Sequence, residues 1–186
     1  MNMPKLRYQY SKFILLLLMV IGCTPSYSQK FESDTYSKEE LIKLNQTYIK
    51  VLREHRSKAA GMEVVVKFDT ATMYTAHAFA YKLKAEGRIG HPPSNIINKY
   101  GVAEICQGLS ADALKYYRDR NYEALARYVY MVFSFSPGHA KIQRSSKYLY
   151  IGVGCNNHAF VARLRDSPMP KELAESEKQK LSMHNF

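Results

Sequence analysis

Between Ser136 and Gly154 the chain reads SPGHAKIQRSSKYLYIGVG, and no other stretch restricts the possible folds as much. Pro137 and Gly138 punctuate an apolar run, so the preceding helix is expected to end there and to turn His139 out on a corner. Tyr148 to Val153 is a short β-branched and aromatic run that predicts a strand. That strand is expected to extend over Lys147 to Gly154, to turn at Cys155-Asn156-Asn157 and to return as His158 to Leu164, which makes a hairpin. A corner histidine facing such a strand pair is a plausible element of a site.

The N-terminus bears on the compartment. Lys5, Arg7 and Lys12 precede an apolar stretch from Phe13 to Gly22, and small and polar residues follow through Ser28. These are the basic, apolar and cleavage regions of an export signal, assigned to residues 1–28, and the apolar part is shorter than the roughly 20 residues a spanning helix needs. Two cleavage readings stand side by side. Val20-Ile21-Gly22-Cys23 is similar to a lipobox, which would lipidate Cys23 and tether the chain to a membrane, whereas Ser26-Tyr27-Ser28 is similar to an ordinary signal-peptidase site and would leave Gln29 first.

With 186 residues the chain suits one domain with its own core. The formal charge of +11 falls to +8 beyond residue 28, where 24 basic residues face 16 acidic ones. No dense Lys/Arg cluster or stacking motif accompanies it, so nucleic acid is not an expected partner. An anionic membrane surface or envelope polymer suits an exported basic protein, and so does a merely soluble, lysine-rich surface. Cys106 and Cys155 stand 49 positions apart without Cys-x-x-Cys spacing, which argues against a cysteine-based zinc site. In an oxidising compartment they could form a disulfide or remain two separate buried thiols.

In chain order, Ser37 and Glu40 form a capping box before a helix whose apolar face is Leu41, Leu44, Tyr48, Val51 and Leu52 and which ends before Gly61. Asn45-Gln46-Thr47 matches a glycosylation sequon but lies mid-helix. Glu63 to Phe68 is read as extended. Asp69 or Thr70 caps a second helix with a face of Met73, Ala76, Ala80 and Leu83, stopped by Gly87. His77 inside it is read as packed or surface-exposed. His91, followed by Pro92 and Pro93, lies in an extended loop; a short helix is expected near Asn95 to Tyr100, and then Val102 to Cys106 is read as a strand interrupted by Glu104. A carboxylate there is costly to bury unless paired or bound. Ser110 and Asn121 cap two more helices, and a surface helix is expected near Glu172 to Lys180. No internal repeat, nucleophile elbow, Walker loop or H-E-x-x-H occurs.

This order, with Gly-x-x-x-His at Gly87 to His91, Ala-Glu-Ile at 103 to 105 and Ser-Pro-Gly-His followed by Ile-Gly-Val-Gly, resembles the CAP superfamily of SCP-like extracellular domains. The resemblance covers about Leu41 to Leu164. It implies an α+β fold, an α-β-α sandwich with a small, largely antiparallel central sheet, over residues 37–165, with 166–186 a polar tail. It also implies a cleft lined by His91, Glu104 and His139, the matches to the family's two histidines and first glutamate. The second glutamate is replaced by Ser136, the usual residue after the first glutamate by Ile105, and a usual tryptophan by Phe133.

Two imidazoles and a carboxylate form an incomplete shell for Zn²⁺ or another divalent cation, with a place open to water. The same three residues can equally form a hydrogen-bonded cluster that holds loops to the sheet. The family fold also places the strands of Cys106 and Cys155 in one sheet, from which a bridge between them is expected. The function implied is an exported, non-enzymatic module binding lipid, envelope polymer or protein; the alternative is a metal- or His/Glu-assisted hydrolase of envelope or host material.

Overall fold

Ser37 opens the first helix, α1 (Lys38–Ala60), through the expected reciprocal pair: its hydroxyl accepts from the Glu40 amide, and the Glu40 carboxylate accepts from the Ser37 amide at 2.7 Å. Gly61 ends α1 in the left-handed conformation. The computed structural model describes residues 35–95, 97, 101–173 and 175–176. The export segment with Cys23 lies outside them, as do most of the helices expected near residues 95–100 and 172–180. The other elements are β1 (Lys67–Phe68), α2 (Thr70–Ala85), β2 (Ala103–Gly108), α3 (Ala111–Arg118), α4 (Tyr122–Ser134), α5 (Pro137–Arg144), β3 (Tyr150–Cys155) and β4 (Ala159–Arg165). Asp69, Ser110 and Asn121 cap α2, α3 and α4 with their side chains, because each short oxygen satisfies amides the helix leaves unpaired.

The sheet runs in the order β1-β3-β4-β2; β1 lies parallel to β3, and the other two pairings are antiparallel. Side-chain alternation divides it into two faces. Ile151, Val153, Cys155, Phe160, Ala162, Leu164 and Ile105 face the main core with Leu41, Leu44, Tyr48, Val129 and Phe133 of α1 and α4. Ala159, Val161 and Cys106 face Ala76, Phe79, Ala80 and Leu83 of α2. The result is the α-β-α sandwich that the motifs imply, with a largely antiparallel sheet.

The Ile-Gly-Val-Gly motif seats α2. A Cβ on Gly152 would overlap the backbone of Met73, and one on Gly154 the backbone of His77, so only glycine lets the helix lie directly on β3. On the opposite face Asn45 clips α1 to the same strand. Its amide donates to the carbonyls of Leu41 at 2.8 Å and Val153 at 2.9 Å, and its carbonyl accepts from the Val153 amide at 2.6 Å. Asn45 is fully buried, which removes the sequon from the surface.

Four expectations are corrected. Ser-Pro-Gly-His is the start of α5 and not a corner: Pro137 occupies the first turn, where its missing N–H is harmless, and His139 lies in that turn. Extended pairing at Glu63 to Phe68 is confined to Lys67–Phe68. Cys106 and Cys155 cannot bridge. They lie in register with Val161 and Phe160, on opposite faces of the sheet, with β4 between them. Two inter-strand spacings put their Cα atoms about 9.5 Å apart, beyond disulfide reach, and both remain free, buried thiols. Finally, the chain stays on the domain past Asp166: Met169 is buried beside Val102, and its amide donates to the Asp69 carboxylate at 2.7 Å.

Candidate functional site

The period-two alternation of the edge strand β2 explains how an acid sits in an apolar run. Ile105 turns into the main core while Glu104 and Cys106 turn to the α2 face. Directly across the strand pair from Glu104 is Arg163 of β4. Its Nε donates to Glu104 Oε2 at 2.8 Å and Nη2 lies equally close, while Nη1 donates to the Thr75 carbonyl at 2.9 Å. The guanidinium also stands over the Phe79 ring, 5.2 Å from its centre. Both side chains are almost wholly buried, so each charge stands in for the water the other has lost.

The other carboxylate oxygen, Oε1, lies 3.3 Å from Nδ1 of His91, whose side chain is 45% exposed. The Cys106 thiol donates to the Gly90 carbonyl at 3.4 Å and lies 3.8 Å from the same Nδ1. Burial, and secondarily the Glu104 charge, pushes this thiol up to about 11, so it is protonated at neutral pH and is a poor nucleophile. His139, in the first turn of α5, meets His91 edge to face at 5.8 Å between ring centres and Phe133 at 5.2 Å. Burial and the neighbouring His91 shift it downward, which favours the neutral imidazole.

Thus His91 and Glu104 touch, and His139 joins them through the His91 ring. Sequence reasoning missed two participants, Arg163 and Cys106. Arg163 is visible in the sequence as a charge embedded in the run His158 to Leu164, opposite in sign to Glu104, but the register that pairs the two is not. The signal for Cys106 was its spacing of two from Glu104. His77 is a bystander, buried in α2 with its ring edge-on to Tyr81 at 4.9 Å. So is His158, whose Nε2 lies 3.1 Å from the Arg88 carbonyl oxygen.

Ligand atoms of His91, Glu104 and Cys106 lie within 4.8 Å of one another. The nitrogen, oxygen and sulfur donors fit a zinc-like cation in kind, and a small closure would bring them to its bond lengths of about 2.0–2.3 Å. The chemistry is less favourable than the donor count, because Arg163 already neutralises the one carboxylate in the group.

Neither a protein-family model nor a curated protein sequence matches this chain. Among solved structures it is similar to an outer surface protein from Borrelia burgdorferi, with a TM-score of 0.51 and 19% identity over 69% of this chain and 93% of that one. It is also similar to an extracellular protein containing a SCP domain from Bacillus anthracis, with a TM-score of 0.47 and 10% identity over 71% of this chain and 44% of the other. At 19% identity the first likeness shows the fold alone. The α-β-α sandwich expected from the SCP-like motifs is the fold observed.

Proposed function

We propose that this chain is an exported SCP-like domain that works at the cell envelope or outside the cell as a binding module without catalytic activity. The observation that carries this reading is the buried Glu104–Arg163 pair. A general base needs an uncommitted carboxylate, commonly with a raised pKa, whereas Glu104 is held by a guanidinium at 2.8 Å and by His91 at 3.3 Å. The protonated Cys106 supplies no nucleophile in its place. The basic and apolar segments of residues 1–28 support export, and the similar Borrelia protein is described as an outer surface protein. Lipid, envelope polymer or a protein is the expected class of ligand, and nucleic acid is not.

The test is to sediment purified mature protein with isolated cell envelopes and to assay it against casein and cell-wall substrates. Co-sedimentation without hydrolysis is expected; hydrolysis that disappears in His91→Ala would overturn the reading. A second reading, a divalent cation at the same cluster, is favoured by the convergence of His91, Glu104 and Cys106. Zinc calorimetry decides it. Uptake should fall as the solution is acidified, because an imidazole coordinates only through an unprotonated nitrogen. Uptake should be lost in His139→Ala if that ring is a ligand, and in Cys106→Ser if the thiol is. Glu104→Gln should weaken it, and His77→Ala and His158→Ala should not. No uptake by the wild type or by Ser136→Glu would leave the cluster structural.

A further inference from the structure

Arg163 and Arg165 stand two positions apart on β4, on the same face and about 7 Å apart along the strand, yet their surroundings differ. Arg163 has a carboxylate directly across from it. Arg165 is 6% exposed, and among the described residues no carboxylate reaches it. Its Nε donates to the Ser167 carbonyl at 3.0 Å, Nη2 to the Pro168 carbonyl at a long 3.5 Å, and, among the described residues, Nη1 donates to the Met169 sulfur alone, at 3.9 Å. A guanidinium has five N–H donors, and a thioether is a weak acceptor. Arg165 therefore keeps a full buried charge and spare donors, an expensive arrangement unless something supplies an anion.

The space beside it suits one. Arg165 lines a polar cavity of about 520 Å³ together with Gly101, Lys147, Tyr148, Asp166 and Ser167. Gly101 has φ +56°, and a Cβ there would stand 3.5 Å from Nη1, so the glycine leaves that edge of the guanidinium uncovered. Exposed Lys147 adds a second cation, and among the described lining residues exposed Asp166 carries the one negative charge. We propose that this cavity is an oxyanion site, separate from the histidine cluster, in which Arg165 and Lys147 hold a phosphate or carboxylate group of a ligand. The planar fork of arginine matches either group in a bidentate manner.

The test uses the mature protein and inorganic phosphate, with acetate as the carboxylate arm and sodium chloride at equal ionic strength as control. Arginine side-chain NMR should show the Arg165 Nε–H signal shifting saturably with phosphate, acetate or both, and not with chloride. The arm that binds more tightly names the class of ligand group. Lys147→Gln should weaken binding about tenfold, and Asp166→Asn should tighten it several-fold by removing the opposing charge. Arg165→Gln should abolish it. Because Arg165→Gln also breaks the ties to Ser167 and Pro168 and can loosen the fold, the two exposed variants carry the decision. Equal response to chloride, or affinities unchanged in both Lys147→Gln and Asp166→Asn, would overturn the proposal and leave Arg165 as a clamp on residues 167–169.

Discussion

At the scale of single residues, His77 makes folding depend on pH. Burial beneath the sheet holds its imidazole down at about 4, whereas the same group in the unfolded chain titrates near 6.5. Between those values the unfolded chain binds a proton that the folded one refuses, so stability is complete above about pH 6.5 and falls as the pH drops toward 4. The full difference amounts to about 3 kcal/mol at 1.36 kcal/mol per unit. His139 is shifted in the same direction. Urea unfolding of the wild type and of His77→Met from pH 7.5 to 4.5 should show the variant losing less stability on acidification. Parallel curves would mean that His77 is not the group responsible.

At the scale of elements, the contact between α2 and β3 has no slack. A methyl on Gly152 or Gly154 would meet helix backbone and not a side chain that could swing away. Gly154→Ala should therefore cost more than the 1–3 kcal/mol typical of overpacking, whereas Gly138→Ala, with nothing near its added methyl, should be close to neutral. Chemical denaturation of both checks this, and equal midpoints would show that α2 moves aside at little cost. The same contact marks how far the sequence is legible. The caps at Ser37, Asp69, Ser110 and Asn121 are readable because each hydrogen bond closes within three residues. The strand run from Tyr148 is readable too, but what its glycines accommodate is a helix nearly 80 positions away, Gly152 against Met73 and Gly154 against His77. Pro137 is ambiguous in principle, since proline both stops one helix and starts the next. The faces of Cys106 and Cys155, the Arg163 partner of Glu104 and the Asn45 clip all depend on strand order and register, which one chain of residues does not spell out. His91 and Glu104 were found through their motif; the arginine that quenches Glu104 was not.

At the scale of the whole molecule, tethering of the domain turns on the fate of Cys23. Cys23 stands 15 positions before Lys38, the first residue of α1, so a lipid on it could hold the domain no farther than about 50 Å from a bilayer. Cleavage after Ser28 would instead release a protein of charge +8, held to anionic envelope only by forces that salt screens, with a Debye length near 8 Å at physiological ionic strength. A lipobox cysteine carries a diacylglyceryl group, and its paired acyl chains supply both of the signals that stable membrane binding needs, without help from charge. Labelling with a radioactive fatty acid should mark the wild-type protein and not Cys23→Ala. If the lipobox is used, the wild type should stay with membranes through a high-salt wash, and Cys23→Ala should be released by it. An unlabelled mature protein beginning at Gln29 and freed by salt would instead establish the second cleavage site, with charge alone holding the domain to its surroundings.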